Sequence, residues 1–261
     1  MYDLAALEAA FSGSIYAGNL HFSPVTGSTN ADALEAARAG ARHGSVYFAD
    51  EQRAGRGRGD HSWQSAAGQG LYVSVLLRLP LPAARLPLLP LAAGLAAADA
   101  IRSASGLTAD LRWPNDLLIG DRKTGGILVE SKTEGARVAF VVVGIGINVH
   151  QASFDAGLAT PATSLDLEAG RDISRQELLI VLLKSLEREA LVLLEPDAGK
   201  IIPSRVAQAS TWILGRHVEV HGPQACTGVT AGLDEGGFLL VRTANGIVTV
   251  RTGGMRAAMT G

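Results

Sequence analysis

The spacing of apolar residues divides the chain into a long region of mixed helices and strands and a short C-terminal region of strands alone. Apolar residues that recur every three or four positions predict helices, and strict alternation predicts strands. In the long region, helices are predicted at residues 4–11, 30–39, 88–103, 174–194 and 198–209. Strands are predicted at residues 45–50, 71–79, 110–119, 123–131 and 138–149, and residues 12–25 are predicted to form a connector.

Local signals set several of these boundaries. Thr29 could cap the second helix, which Gly40 would end. Ser174 opens a capping box at the start of the fourth helix. Gly120 and Asp121 predict the turn of a hairpin between the strands on either side of them.

The pattern changes at Trp212, after which only short strands are predicted. They lie at residues 217–220, 228–233, 238–241 and 247–250, separated by turns rich in glycine, aspartate and asparagine. This pattern is typical of a small β-barrel. We therefore expect two domains, residues 1–211 and residues 212–261.

Composition narrows the classes of function. The chain has 261 residues, of which 47% are hydrophobic and 18% charged, as in a globular protein. Its net charge of −2 gives no overall positive field that would recruit nucleic acid or an acidic membrane. The single cysteine, Cys226, allows no internal disulfide and fits a reducing compartment. Charged residues interrupt the apolar stretch 178–194 and no signal peptide is evident, so we expect no membrane span and a cytoplasmic location.

The most informative motif is a loop between two predicted strands in which glycine and arginine alternate: Gly55, Arg56, Gly57 and Arg58. Glycine lets backbone N–H groups approach an anion closely, and arginine adds planar charged donors for phosphate or carboxylate. A solvated basic loop and an RNA contact are the alternatives. Gln52, just before the loop, offers an amide either to the same ligand or to solvent.

Two other polar groups are candidates on weaker grounds. Ser28, Thr29 and Asn30 stand at a predicted helix start, where they could be ordinary capping residues or face a polar ligand. Trp63 follows the glycine–arginine loop and could stack on an adenine ring or pack in the core.

The run from Trp113 to Asp116 interrupts a predicted strand. Pro114 removes a backbone donor, which predicts a sheet edge, a bulge or a simple strand break. Asn115 and Asp116 supply hard oxygen atoms, the ligands that Mg²⁺ prefers.

Lys123 and two groups of glycines follow. Lys123 is either an exposed turn lysine or a point charge for an attacking carboxylate and a phosphate. Gly125 and Gly126 would let a flat ligand lie against bare backbone. The run from Gly144 to Asn148 places glycines in a β-branched strand, which indicates either a close approach to the backbone or a bulge.

Taken together and in this order, these residues resemble the biotin protein ligases, and the likeness extends over nearly the whole chain. It implies an α+β fold: a class II synthetase-like catalytic domain with a mixed, mostly antiparallel sheet flanked by helices, and a small C-terminal SH3-like β-barrel. It also implies that ATP and biotin form biotinyl-5′-AMP with release of pyrophosphate. A lysine of a biotin carboxyl carrier protein, part of acetyl-CoA carboxylase or a related carboxylase, then accepts the biotin.

The resemblance assigns roles by position. Lys123 and Arg58 would be catalytic, and Asp116 and Asn115 would bind Mg²⁺. The residues implied to contact biotin are Ser28, Thr29, Asn30, Gln52, Gly55, Arg56, Gly57, Arg58, Lys123, Gly125 and Gly126. The residues implied to contact ATP are Arg58, Trp63, Asn115, Lys123 and Asn148.

This chain departs from the family pattern at two positions. Asp60 stands where many relatives have further basic residues, and Gly253-Gly254 stand where relatives often have a glycine–glutamate pair. The family-like core begins near residue 25, so we expect a ligase without an N-terminal DNA-binding domain and no repressor activity. A lipoate or other acyl ligase on the same fold is the first alternative, and an RNA-binding module is the second. An edge strand could pair across a two-fold axis to give a homodimer.

Overall fold

A computed structural model describes residues 2–59 and 61–258, which form two β-sheets with helices packed mainly against the larger sheet. The helices are α1 (Leu4–Ala10), α2 (Thr29–Arg38), α3 (Leu89–Ser105), α4 (Leu165–Ala169), α5 (Arg175–Val192) and α6 (Ala198–Ala209). The strands of the larger sheet are β1 (Leu20–Thr26), β2 (Ser45–Gln52), β3 (Gly70–Leu77), β4 (Asp110–Arg112), β5 (Asp116–Ile119), β6 (Arg122–Glu134) and β7 (Arg137–Asn148). The strands of the smaller sheet are β8 (Leu214–His221), β9 (Cys226–Leu233), β10 (Leu239–Thr243), β11 (Gly246–Val250) and β12 (Gly254–Ala257).

The larger sheet has the order β1-β2-β3-β7-β6-β5-β4. Only the β1–β2 pair is parallel, and every other neighbouring pair is antiparallel. The smaller sheet is antiparallel throughout, in the order β11-β10-β9-β8-β12. The predicted fold class, a mixed and mostly antiparallel sheet flanked by helices with a small β module after it, is confirmed.

Strand alternation gives the larger sheet two different faces. On β3, Val73 and Val75 point into the main core, which includes residues of α3, α5 and α6. Leu76 points the other way, into a smaller cluster with Ala33 and Ala37 of α2. We call the side that carries α2 the open face, because the polar residues described below lie on it.

The first correction concerns residues 12–25, which contain most of β1 rather than only a connector. The strand escapes the sequence pattern because it contains Pro24 and its buried and exposed positions do not alternate strictly. A proline is tolerated there because β1 is an edge strand, whose outer side pairs with nothing in the described sheet. Ser28, not Thr29, is the N-cap residue of α2, and its side chain makes no capping hydrogen bond.

Two more elements were missed, α4 and β12. Both are short: α4 has five residues and β12 has four, so neither is long enough to show a period. Pro114 lies in the turn between β4 and β5, as expected for a strand break, and β4 is the edge of the sheet. The predicted boundary at residue 212 stays a prediction, since one continuous apolar core includes residues on both sides of it.

The expectation that no segment is long and apolar enough to span a membrane is wrong, because one helix among the described residues meets both criteria. A 3₁₀ turn (Ala83–Leu88) continues into α3, and the combined helix, Ala83–Ser105, is long and apolar enough. However, 61% of its most apolar window is buried inside the protein. Alanines such as Ala93, Ala96 and Ala97 let this helix pack closely in the main core, which explains its composition.

Trp113 connects the two sheets. Its side chain is 5% exposed, and its Nε1 donates a hydrogen bond of 3.0 Å to the carbonyl oxygen of Gly237 in the β9–β10 turn. Trp212 is similarly buried, at 3% exposure, but its Nε1 has no partner among the described residues.

We expect Trp113→Phe to lower the free energy of unfolding by about 1–3 kcal/mol more than Trp212→Phe, because only the first change leaves a bonded carbonyl without its donor. Urea unfolding of both variants measures the difference. Equal losses would show that the Trp113–Gly237 hydrogen bond does not stabilise the contact between the sheets.

Candidate functional site

A strip of bare backbone runs along the open face. Gly144 and Gly146 alternate on β7, and Gly126 of β6 pairs with Gly146. A Cβ atom on Gly144 would overlap Oδ1 of Asn30, and one on Gly146 would lie 2.7 Å from Nε1 of Trp63. The β3–β7 ladder is unbroken there, so the glycines are explained by close approach and not by a bulge.

A row of polar side chains begins at Gln52. Its Oε1 accepts a 2.9 Å hydrogen bond from the backbone N–H of Thr29, and its Nε2 donates to Ser65 at 2.8 Å. The hydroxyls of Thr29 and Ser74 are 2.8 Å apart, and the Ser74 hydroxyl donates to Oδ1 of Asn30 at 2.5 Å. Thr29, Asn30 and Ser74 are at most 4% exposed and Gln52 is half-buried, and the hydrogen bonds fix the rotamers of Thr29 and Asn30 at the start of α2.

The row ends in an ion pair. Nδ2 of Asn30 donates to Oε2 of Glu130 at 2.9 Å, and the guanidinium of Arg56 donates to the same oxygen at 2.7 Å. Glu130 therefore connects the glycine–arginine loop to the sheet. Since the Arg56 side chain is 44% exposed, an incoming anion can reach it.

Lys123 is paired with a buried carboxylate. Its Nζ lies 2.5 Å from Oδ1 of Asp116, while Arg112 donates to Oδ2 at 2.7 Å. Burial by itself would raise the pKa of Asp116, but the charges of Lys123 and Arg112 outweigh it and hold the pKa below its usual value. The carboxylate is therefore ionised with a cation on each oxygen.

The backbone of Lys123 is held by the segment after β7. Its N–H donates to the carbonyl of Pro161 at 2.7 Å, and its carbonyl accepts from the N–H of Thr163 at 2.9 Å. Its Nζ lies 5.6 Å from the centre of the Trp63 ring, within range of a cation–π contact. Lys123 is thus a positioned residue on the open face, and only its ammonium has freedom to move.

The two predicted asparagines have structural partners. Nδ2 of Asn115 donates to the carbonyl of Ile127 at 2.8 Å, and Nδ2 of Asn148 donates to the carbonyl of Thr163 at 3.0 Å. Asn148 shares the open face with Gly144 and Gly146 by alternation along β7. A role of Asn148 and Asn115 in nucleotide binding stays a prediction.

The donor set does not fit direct binding of Mg²⁺ by Asp116. Both of its oxygens already bond to cations, so a metal ion would have to displace Lys123 or Arg112. Within residues 2–59 and 61–258, no group of three or more His, Cys, Asp or Glu side chains is placed to hold a metal ion. Magnesium at Asp116 and Asn115 stays a prediction of the resemblance alone.

The glycine–arginine loop folds back on itself. The N–H of Gly57 donates to the carbonyl of His61 at 2.7 Å, and the N–H of Trp63 donates to the carbonyl of Gly55 at 2.9 Å. Any side chain at Gly55 would clash with the carbonyl of Trp63. Asp60, one of the two departures from the family pattern, lies outside the described residues.

Arg58 reaches from this loop to the smaller sheet, where its guanidinium donates to the carbonyl oxygen of Gly253. Gly253 has φ +126°, a conformation that favours glycine, and a side chain there would clash with the carbonyl of His221. Arg58 therefore bonds to a backbone oxygen at Gly253, the second of the two departures from the expected family pattern. The C-terminal module contacts the loop directly.

Comparisons with known proteins identify the family of this chain. A profile of the biotin/lipoate A/B protein ligase family matches residues 22–148. The bifunctional ligase/repressor BirA of Bacillus spizizenii is 40% identical over 172 residues, which are 65% of this chain and 53% of that protein. The biotin--[acetyl-CoA-carboxylase] ligase of Paracoccus denitrificans is 36% identical over 228 residues, which are 83% of this chain and 91% of that protein. The chain belongs to the biotin protein ligase family.

A solved member of the biotin protein ligase family supports the fold. The enzyme from Aquifex aeolicus, determined in complex with biotin and ATP, has a TM-score of 0.80 and 30% identity over 92% of this chain and 99% of its own. The alignment with the Bacillus relative, in contrast, spans only about half of that protein's length.

Three residues of this chain lie at the site but were not predicted from the sequence: Ser74, Glu130 and Arg112. Ser74 had a detectable signal, as a polar residue on the less apolar face of a buried strand. Glu130 had a weaker signal, since it lies on the same face as Gly126 by alternation along β6. Arg112 had no signal, because only the β4–β5 pairing places it opposite Asp116.

We expect Gly144→Ala to cost about 1–3 kcal/mol in the free energy of unfolding, because the new methyl group must displace the amide of Asn30 from its bonds. Gly27→Ala is the control, since nothing lies within 4 Å of a Cβ at that position. Urea unfolding measures both, and a Gly144→Ala variant as stable as the control would mean that Asn30 does not rest on the β7 backbone.

Proposed function

We propose that this protein is an ATP-dependent biotin protein ligase that makes biotinyl-5′-AMP and transfers the biotinyl group to a lysine of a carrier protein. In the first step a carboxylate oxygen of biotin bonds to the α-phosphorus of ATP, and the bond to pyrophosphate breaks. In the second step the lysine amine bonds to the acyl carbon, AMP leaves with the bonding electrons, and the amine loses a proton.

The observation that carries the proposal is the position of Lys123. Its ammonium lies on the open face, close to Trp63. Gly126 presents only backbone beneath it, and a Cβ atom added at Gly126 would lie 3.7 Å from Nζ. The carboxylate and the α-phosphate are both anionic, so an ammonium that reaches both of them lowers the cost of bringing them together. The polar row at Thr29 and Asn30 supplies buried donors and acceptors for a polar ring at the far end of the acid.

The glycine–arginine loop fits the second requirement of the reaction, protection of a mixed anhydride from water. Arg56 and Arg58 each bond across the site, to Glu130 and to the carbonyl of Gly253. The loop can therefore be held closed by contacts that a ligand anion would replace, and it must open again for the acceptor lysine.

The acceptor and the absence of DNA binding are the finer parts of the proposal. The relative from Paracoccus is named for acetyl-CoA carboxylase, so a biotin carboxyl carrier protein is the proposed partner here. We propose that the chain does not bind DNA as a repressor, since its net charge of −2 gives no general attraction to phosphate. A mobility-shift assay at low salt tests that part on its own.

Exchange of labelled pyrophosphate into ATP tests the activity. We expect exchange that depends on biotin and is absent with lipoate or with no acid. Exchange with lipoate alone would instead favour a lipoate ligase. In the same assay, Lys123→Ala should reduce the rate by about a hundredfold or more, because a charge that stabilises the transition state is lost.

Lys132→Ala is the matched control for Lys123→Ala. Lys132 is on the same strand, with a side chain that is 60% exposed and only a long contact of 4.0 Å to Glu134. We expect normal exchange from the control and a loss of stability of about 1 kcal/mol or less in both variants, since Arg112 still neutralises Asp116. An unfolded circular dichroism spectrum for Lys123→Ala would make Lys123 a structural residue.

Arg58→Gly should let biotinyl-5′-AMP escape, because the loop loses its bond to Gly253. Two quantities are measured: the biotin attached to lysines of a bystander protein such as serum albumin, and the release rate of the adenylate. Arg53→Gly is the control, because Arg53 is 76% exposed and its ion pair with Glu51 is long, at 3.6 Å. Equal labelling by the two variants contradicts a role for Arg58 in retention.

A further inference from the structure

Asp116 lies between two cations that differ in their freedom to move. The Lys123 side chain is 29% exposed, whereas that of Arg112 is only 8% exposed. A ligand on the open face can therefore reach the ammonium of Lys123 but not the guanidinium of Arg112. The carboxylate itself is 16% exposed, so it depends on its partners rather than on water for neutralisation.

Arg112 is fixed by contacts from several elements. It pairs with Asp116 in the β4–β5 register and donates to its Oδ2 from both Nε, at 3.2 Å, and Nη2, at 2.7 Å. Nη2 also donates to the hydroxyl of Thr160 at 3.0 Å, and the guanidinium carbon lies 5.4 Å from the Trp212 ring centre. A planar guanidinium held in this way cannot follow Lys123 toward a ligand.

This asymmetry has a consequence for the first step of the reaction. Lys123 can turn to the substrate anions only if Asp116 remains neutralised when the ammonium leaves, since an unpaired buried carboxylate is strongly unfavourable. Arg58 also faces Asp116. However, Arg58 belongs to the glycine–arginine loop, which must open in the proposed reaction, and it has its own proposed ligand contacts, so Arg112 is the cation that stays.

We propose that Arg112 is a positioning residue for acid activation, which keeps Asp116 ion-paired so that the ammonium of Lys123 is released to the substrate. The inference rests on the proposed function, because it requires the role given to Lys123. Arg112 touches no substrate in this scheme and acts only through Asp116. In addition, it makes the site depend on Trp212, the residue that leads into the C-terminal sheet.

The test compares Arg112→Gln with Arg112→Lys and with Arg216→Gln. Arg216 is the matched control, because its guanidinium carbon lies 4.1 Å from the same Trp212 ring and it pairs with Asp121 at 3.0 Å, not with Asp116. We expect Arg112→Gln to lower kcat for biotin-dependent exchange by about tenfold or more, with KM for biotin changed less than about threefold. Arg112→Lys, which keeps the charge, should recover most of the rate, and Arg216→Gln should retain it.

A double-mutant cycle separates this role from a structural one. If Arg112 acts through Lys123, Arg112→Gln has little further effect on the residual single-turnover rate of Lys123→Ala. Three results would show instead that Arg112 only stabilises the hairpin, and each overturns the inference. The rate losses of Arg112→Gln and Lys123→Ala could multiply in the double variant. Arg216→Gln could lose as much rate as Arg112→Gln, or Arg112→Lys could fail to recover the rate. A wild-type protein without biotin-dependent exchange overturns the proposed function instead, before any variant is compared.

Discussion

The site depends on one packing constraint: two side chains from outside the larger sheet rest directly on its backbone. Asn30 occupies the space above Gly144, and Trp63 occupies the space above Gly146. Glycine weakens a β-strand because it adds no side-chain packing, so its presence in a buried, β-branched strand needs such a reason. On one face, β7 has no side chains at Gly144 and Gly146, and the polar row and the Trp63 ring pack directly on its backbone there.

The charges on this floor are of two kinds. Lys123 and Arg56 lie at the surface of the cleft, and each is paired with a carboxylate that a ligand anion can replace. Arg112 is buried and keeps its place. In the proposed reaction, Arg112 keeps Asp116 paired when Lys123 turns to a ligand anion, so no buried carboxylate is left unpaired, which is the most costly outcome for a buried ion pair.

The C-terminal sheet takes part in the site instead of standing apart from it. Its turn before β10 accepts a hydrogen bond from Trp113, its segment before β12 accepts one from Arg58, and Trp212 packs near Arg112. The two sheets also share one apolar core. Movement of the smaller sheet would therefore shift the loop and the Asp116 pair together.

The sequence by itself determined the fold class, most long helices and strands and the main chemical groups, because period, turn residues and a specific order of motifs are local properties. It also indicated that something approaches the backbone closely at Gly144 and Gly146, and Asn30 and Trp63 do so. The tertiary structure alone decided which groups pair: Glu130 with Arg56, Arg112 with Asp116, and Arg58 with a backbone carbonyl of Gly253. Arg56 is 74 residues from Glu130 and Arg58 is 195 residues from Gly253, so only the folded chain brings these groups together. Arg112 meets Asp116 because the β4–β5 pairing sets them opposite each other.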